Sequence, residues 1–147
     1  MNNNTLEKIK DRFGSKIKNI FVHNRSRVYI EIDKNDLTDF VKFIFSLPGA
    51  RFATASGVDN LDNMEILYHF SFDKDDLIIS LRVFIDRNNP EVESIANIIK
   101  GAANIEREIY ELLGVNFLNH PCLKRFLIDE LPERVYPLRK DWKRAEQ

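Results

Sequence analysis

Apolar positions along this chain change period several times, and each change marks an element. Leu6, Ile9 and Phe13 recur at helical spacing after Thr5, a capping residue type, and Gly14 supplies a stop, so a short helix is expected there. Lys18 to His23 and Arg27 to Ile32 are β-rich runs around Asn24-Arg25-Ser26, which predicts a hairpin. Leu37, Phe40, Val41, Ile44, Phe45 and Leu47 form the stripe of an amphipathic helix that starts after Asp33 or Asn35 and stops at Pro48-Gly49. Three strands follow: Arg51 to Val58, the alternating run Glu65 to Phe72, and Leu77 to Ile85, separated by polar turns at 59–63 and 73–76. Pro90 predicts the opening of another short helix bearing Val92, Ile95 and Ile98 and running to Gly101. This order predicts an α+β fold, a mostly antiparallel sheet with helices on one face and an irregular C-terminal tail.

The last third has a different texture. Asn104 reads as the N-cap of a helix with Ile105, Ile109, Leu112 and Leu113 on one face and Gly114 as its stop. Glu106 and Glu108 fall near its start, where free N–H groups and the helix dipole favour carboxylates. Two positions apart on a helix, they do not face each other as an acid–base pair. His120-Pro121 then begins an extended path. Beyond it Leu123, Phe126, Leu127, Leu131, Val135, Leu138 and Trp142 are spread through a segment broken by Pro121, Pro132 and Pro137, too irregular for a long helix or a central strand. Such a segment cannot bury its own side chains without stranding backbone polar groups, so it must lie against its own domain or another protein. The expected division is a compact α+β domain over 1–120 and an extended, proline-broken, partner-binding tail over 121–147.

Composition narrows the function. With 147 residues, 44% of them hydrophobic, one core is supported. A net charge of −1 creates no field toward nucleic acid or anionic lipid, and the segment from Cys122 onward carries seven Lys or Arg against five Asp or Glu, a mild bias. The single cysteine excludes an internal disulfide and fits a reducing compartment. No apolar run reaches the roughly 20 residues needed to span a bilayer, and the Asn-rich start lacks the pattern of a secretory leader. His23, His69 and His120 lie far apart and without clustered cysteines, so neither a metal nor a cofactor site is expected. His120 with Cys122 is the one pairing that suggests a nucleophile and base.

Several of these blocks together are similar to a known family. Glu106-Arg107-Glu108 through Leu113-Gly114-Val115, then Phe117, His120-Pro121, Leu123-Lys124-Arg125 and Pro137-Leu138-Arg139-Lys140-Asp141 resemble, in order and spacing, the signature of the family of NADH-quinone oxidoreductase C subunits. Its members occur in respiratory complex I and in related membrane-bound, energy-converting nickel-iron hydrogenases. A weaker resemblance reaches back to about Phe40. Asn119 stands where the family usually has glycine, Cys122 where an acidic residue is usual, Tyr136 where histidine is common and Leu113 where an aromatic is usual.

The resemblance implies a cofactor-free, non-catalytic accessory subunit, peripheral on the cytoplasmic face of the cell membrane and attached to the membrane only through its complex. Its implied partners are the hydrogenase large subunit, or the metal-free complex I relative of that subunit, and the iron-sulfur small subunit; no nucleic acid is expected. The residues expected to meet partners are Glu106, Arg107, Glu108, His120, Pro121, Leu123, Arg125, Leu138, Arg139, Lys140, Asp141 and Trp142. Members serving complex I often carry a longer extension after the Arg-Lys-Asp motif, so the compact tail favours the hydrogenase branch, with complex I as the alternative. A free-standing binding module is the remote alternative, and an independent small hydrolase using His120 and Cys122 comes last.

Overall fold

The computed structural model describes residues 4–125, 127–128 and 131–142. Helix α1 (Asn4–Phe13) leads through a turn into the hairpin of β1 (Ile17–Asn24) and β2 (Arg27–Ile32), and α2 (Leu37–Ser46) follows. Strands β3 (Ala50–Asp59), β4 (Asn63–Phe72) and β5 (Leu77–Asp86) complete a five-stranded sheet of order β1-β2-β5-β4-β3. Three pairings are antiparallel, and the central pair β2–β5 is parallel, so the sheet is mixed but mostly antiparallel, as expected.

Alternation along β4 shows why the sheet is one-sided. Met64, Ile66, Tyr68, Phe70 and Phe72 are buried in strict succession while the intervening residues are half exposed. Register carries the pattern across: Ile30 opposes Leu81, Leu81 opposes Tyr68, and Tyr68 opposes Ala55, all inside. The helices cover this face. Phe13 of α1 stacks on Phe40 of α2 with ring centroids 3.7 Å apart and meets Phe43 edge-on at 5.5 Å. Burying a side chain such as Phe40 or Ile44 stabilises the fold by about 1.5–3 kcal/mol. On the open face His69 lies between the hydroxyls of Ser56 and Ser80, at 3.1 and 2.7 Å, and burial, then Arg27, pushes its pKa below the usual histidine value.

Helix α3 (Ala103–Leu113) lies on β3, close enough that a Cβ on Gly57 would come within 2.6 Å of Leu113 Cδ1. Gly114 ends it in the left-handed region, its N–H donating to the Tyr110 carbonyl at 2.9 Å.

Three local expectations are corrected. Instead of a helix over 92–98, β6 (Glu91–Glu93) pairs in parallel with β7 (Asn116–Leu118), placing Val92 opposite Phe117. The carbonyl of Pro90 accepts from Asn116 N–H, and Ser94 N–H donates to Leu118, so a non-local partner claims backbone that the three-residue spacing assigned to a helix. Asn104 is not the cap of α3. The cap position is Ala102, without a side-chain bond, and a 3-10 turn over Lys100–Ala102 feeds the helix directly. Thr5, likewise, lies inside the first turn of α1 and donates to Asp75 at 3.0 Å.

Candidate functional site

The C-terminal segment meets the domain where β3 ends. Asp59, the last residue of β3, has a side chain only 1% exposed. It accepts Leu61 N–H at 2.9 Å, Arg87 Nε and Nη2 at 2.8 and 3.0 Å as a two-pronged fork, and Lys140 N–H at 2.9 Å. Four donors fill the acceptor capacity of a carboxylate. The Arg87 fork, with the two backbone donors, holds the Asp59 carboxyl well below the ordinary carboxylate range despite its burial.

Around that anchor residues 136–142 lie across the domain. Leu138 N–H donates to the Leu112 carbonyl at 3.0 Å, satisfying one of the orphan acceptors of the last turn of α3. Arg139 donates to the Arg87 carbonyl at 2.9 Å and lies 5.9 Å from the Tyr136 ring centroid. The Tyr136 ring packs so closely on Gly114 that a Cβ there would approach it to 2.7 Å. Asp141 reaches Arg87 at 3.4 Å.

The His-Pro block is held separately, by α3. His120 Nε2 bonds the Ala103 carbonyl at 2.9 Å, and its Nδ1 accepts Cys122 N–H at 2.9 Å. Those two bonds set the tautomer and occupy both ring nitrogens. The ring is therefore bound to the backbone of Cys122 and not to its thiol, which removes the base from the nucleophile reading. Arg107 donates to the Lys124 carbonyl at 3.0 Å, and Arg125 gathers the loop by donating to Leu131 and Val135 carbonyls at 2.8 and 3.1 Å. Leu123 packs against the core, and buried Glu111 accepts the N–H groups of Leu127 and Ile128.

Glu106 corrects an expectation. It is fully buried and accepts Ile95 N–H at 2.8 Å, so its carboxylate cannot meet a partner at the surface. Burial pushes its pKa up to about 7, against the lowering effect of hydrogen bonds from Ser94 and Ile95. Its second oxygen and the Tyr68 hydroxyl are both buried without a hydrogen-bond partner, and burial, then the Glu106 charge, raises the Tyr68 pKa well above normal.

The expected partner residues thus divide. Leu138, Lys140, Asp141 and Pro121 are exposed, and Arg107, Glu108, His120, Leu123, Arg125, Arg139 and Trp142 are half-buried. Sequence reasoning missed Asp59, Arg87 and Glu111, which hold the tail; Asp59 read only as the start of a polar turn. Among the described residues no three His, Cys, Asp or Glu side chains are grouped to hold a metal, and no helix is long and apolar enough to cross a membrane.

Residues 30–147 match the profile of a family described as the 30 kDa subunit of respiratory-chain NADH dehydrogenase. The chain is similar to the C subunit of F420H2 dehydrogenase from Methanosarcina mazei, 29% identical over 140 residues, covering 93% of this chain and 89% of that protein. It is also similar to the beta subunit of the membrane-bound hydrogenase of Pyrococcus furiosus, 30% identical over 143 residues, covering 92% and 83%. Among solved structures it resembles a chain in an archaeal respiratory membrane complex, the membrane-bound sulfane sulfur reductase, with a TM-score of 0.82 over 97% of this chain and 85% of that one; at 18% identity this likeness concerns the fold.

Proposed function

Since this chain belongs to the family of the 30 kDa subunit of respiratory-chain NADH dehydrogenase, we propose that it is a non-catalytic, cofactor-free subunit of a membrane-bound redox complex. It docks the large subunit, in register with the iron-sulfur subunit, on the cytoplasmic face of the membrane, and supports electron transfer coupled to ion translocation. The energy-converting hydrogenase type is the first reading, supported by the hydrogenase relative that spans most of both chains. A role as the C subunit of complex I is the second, supported by the family profile over 30–147.

One observation carries the docking role. The tail is bonded to its own domain through the backbone of Leu138 and Lys140, which leaves their side chains outward, with Leu138 60% exposed. An exposed leucine on a backbone held that firmly forms a preorganised contact for another protein. Arg107, Glu108, His120, Pro121, Leu123, Arg125, Arg139, Asp141 and Trp142 form the remainder of the proposed contact set, without Glu106.

The test is purification of the tagged chain from its own cells, with identification of co-purifying subunits and metal analysis. Recovery of a large redox subunit and an iron-sulfur subunit, with nickel for the hydrogenase type, supports the reading, and recovery of the chain without any redox subunit overturns it. Leu138→Ala leaves the fold intact but weakens recovery of the complex, by at least roughly 1 kcal/mol in association if Leu138 sits in the contact core.

A further inference from the structure

The same end of the molecule carries a groove of about 550 Å³ between the loop after β5 and the tail. Arg87, Arg134 and Arg139 line it together with Tyr136, Asp141 and Trp142, so three guanidinium groups face one carboxylate. Arg87 is met by Asp59 behind it and also by Asp141 at 3.4 Å, so the one groove carboxylate is already shared before Arg134 and Arg139 are counted. Neither is well satisfied. Arg139 donates through Nη2 to a backbone carbonyl, but its Nε is buried with no hydrogen-bond partner and lies 3.9 Å from Asp141. Arg134 makes no ion pair among the described residues and is held at φ 64, in the left-handed region that a residue with a β-carbon rarely adopts. Arg134 also borders the neighbouring cavity, where Glu133 is the acid and Lys124 and Arg125 stand beside it, so cations outnumber acids there too.

We propose that this groove receives an acidic segment of a partner subunit, a carboxylate-bearing loop or chain end. Its carboxylates bind the guanidinium groups of Arg134 and Arg139, and its chain runs beside the rings of Tyr136 and Trp142. Planar guanidinium forks suit carboxylates, and those of Arg134 and Arg139 both line the groove. The inference rests on the reading that this face meets a partner subunit and names the chemistry of the partner.

The experiment has two arms. In the first, the full chain is titrated into fluorescein-labelled hexaglutamate and followed by anisotropy at low and at physiological salt. Saturable binding is expected, and Arg134→Asn weakens it at least roughly tenfold, while Arg25→Asn, at the exposed turn of the first hairpin, does not. Asparagine tolerates the left-handed region, so Arg134→Asn keeps the fold, as circular dichroism checks. Absence of saturable binding, or equal weakening by the two variants, overturns the inference. In the second arm the complex is washed with rising salt, and Arg134→Asn is expected to leave at lower salt than the wild-type chain. If the chain purifies with redox subunits but Arg134→Asn leaves at the same salt, the inference fails and the reading stands. If the wild-type chain purifies with no redox subunit, the reading fails and takes the inference with it.

Discussion

Lys140 donates its backbone N–H to Asp59 Oδ2 at 2.9 Å, joining the tail to the end of β3 across 81 positions of sequence. Because the contact is made by a backbone N–H, any residue but proline could make it at 140, but only an acceptor at 59 can receive it. Asp59→Ala strands the Arg87 fork and two backbone donors, and a loss of about 2–3 kcal/mol is expected by chemical denaturation. Trypsin should then cut earlier at Arg139 or Lys140 than in the wild type. The Asp59 carboxyl is held below its ordinary value of 3.8. Its stabilisation is therefore complete above that value and is lost as pH falls through the folded value, so acid lability below pH 3.8 should be reduced in Asp59→Asn.

Glu106 works in the opposite direction. Its folded pKa of about 7 lies above the ordinary 4.5, so the native state holds a proton that the unfolded chain releases. Stability should fall as pH rises from about 4.5 to about 7 and level off above, by at most about 3 kcal/mol. Glu106→Gln should remove that slope and be the more stable protein at alkaline pH. An unchanged slope in the variant would show that another group supplies it.

Two glycines separate strain from crowding. Gly49 and Gly114 have nearly the same positive φ, 78 and 77, but a Cβ on Gly49 meets nothing within 4 Å whereas one on Gly114 meets the Tyr136 ring. Gly49→Ala is expected to cost about 1 kcal/mol, from the left-handed backbone alone. Gly114→Ala should cost about 1–3 kcal/mol more, through overpacking, and Tyr136→Ala should recover part of that difference in the double mutant. Equal losses at the two glycines would mean that Tyr136 does not press on Gly114.

Cys122→Ala should leave stability within about 0.5 kcal/mol and leave turnover of an assembled complex unchanged, because its side chain is exposed. His120→Ala, which removes bonds to Ala103 and Cys122, should loosen the loop after α3 by about 1–2 kcal/mol. Loss of turnover in Cys122→Ala with full assembly would restore a chemical role to the thiol.

Elements with strong local periodicity were legible: β4 alternates without a break, α2 carries one stripe, and Gly114 stops α3 as its position in sequence suggests. Asn119, at a position where the family usually has glycine, sits at φ 61, which asparagine tolerates better than most residues. What escaped was decided across long separations. Val92 finds Phe117 through a parallel pairing with no local trace, and Glu106, which looked like a surface charge near a helix start, faces inward because Ile95 N–H needs an acceptor. Asp59 and Arg87 look ordinary in sequence until folding brings the Arg87 side chain and the Lys140 N–H onto the same carboxylate.

The parallel pairing of β2 with β5 has a consequence for synthesis. The edge of β2 that will meet β5 leaves the ribosome early, with Val28, Ile30 and Ile32 already in the strand but the opposing Ile79, Leu81 and Val83 still about 50 residues from being made, several seconds at typical translation rates. For that interval the nascent hairpin presents an unpaired apolar edge, the kind of surface that chaperones hold and that crowded neighbours capture. Slow translation between β2 and β5 should therefore lower the yield of folded chain more than the same delay placed after β5.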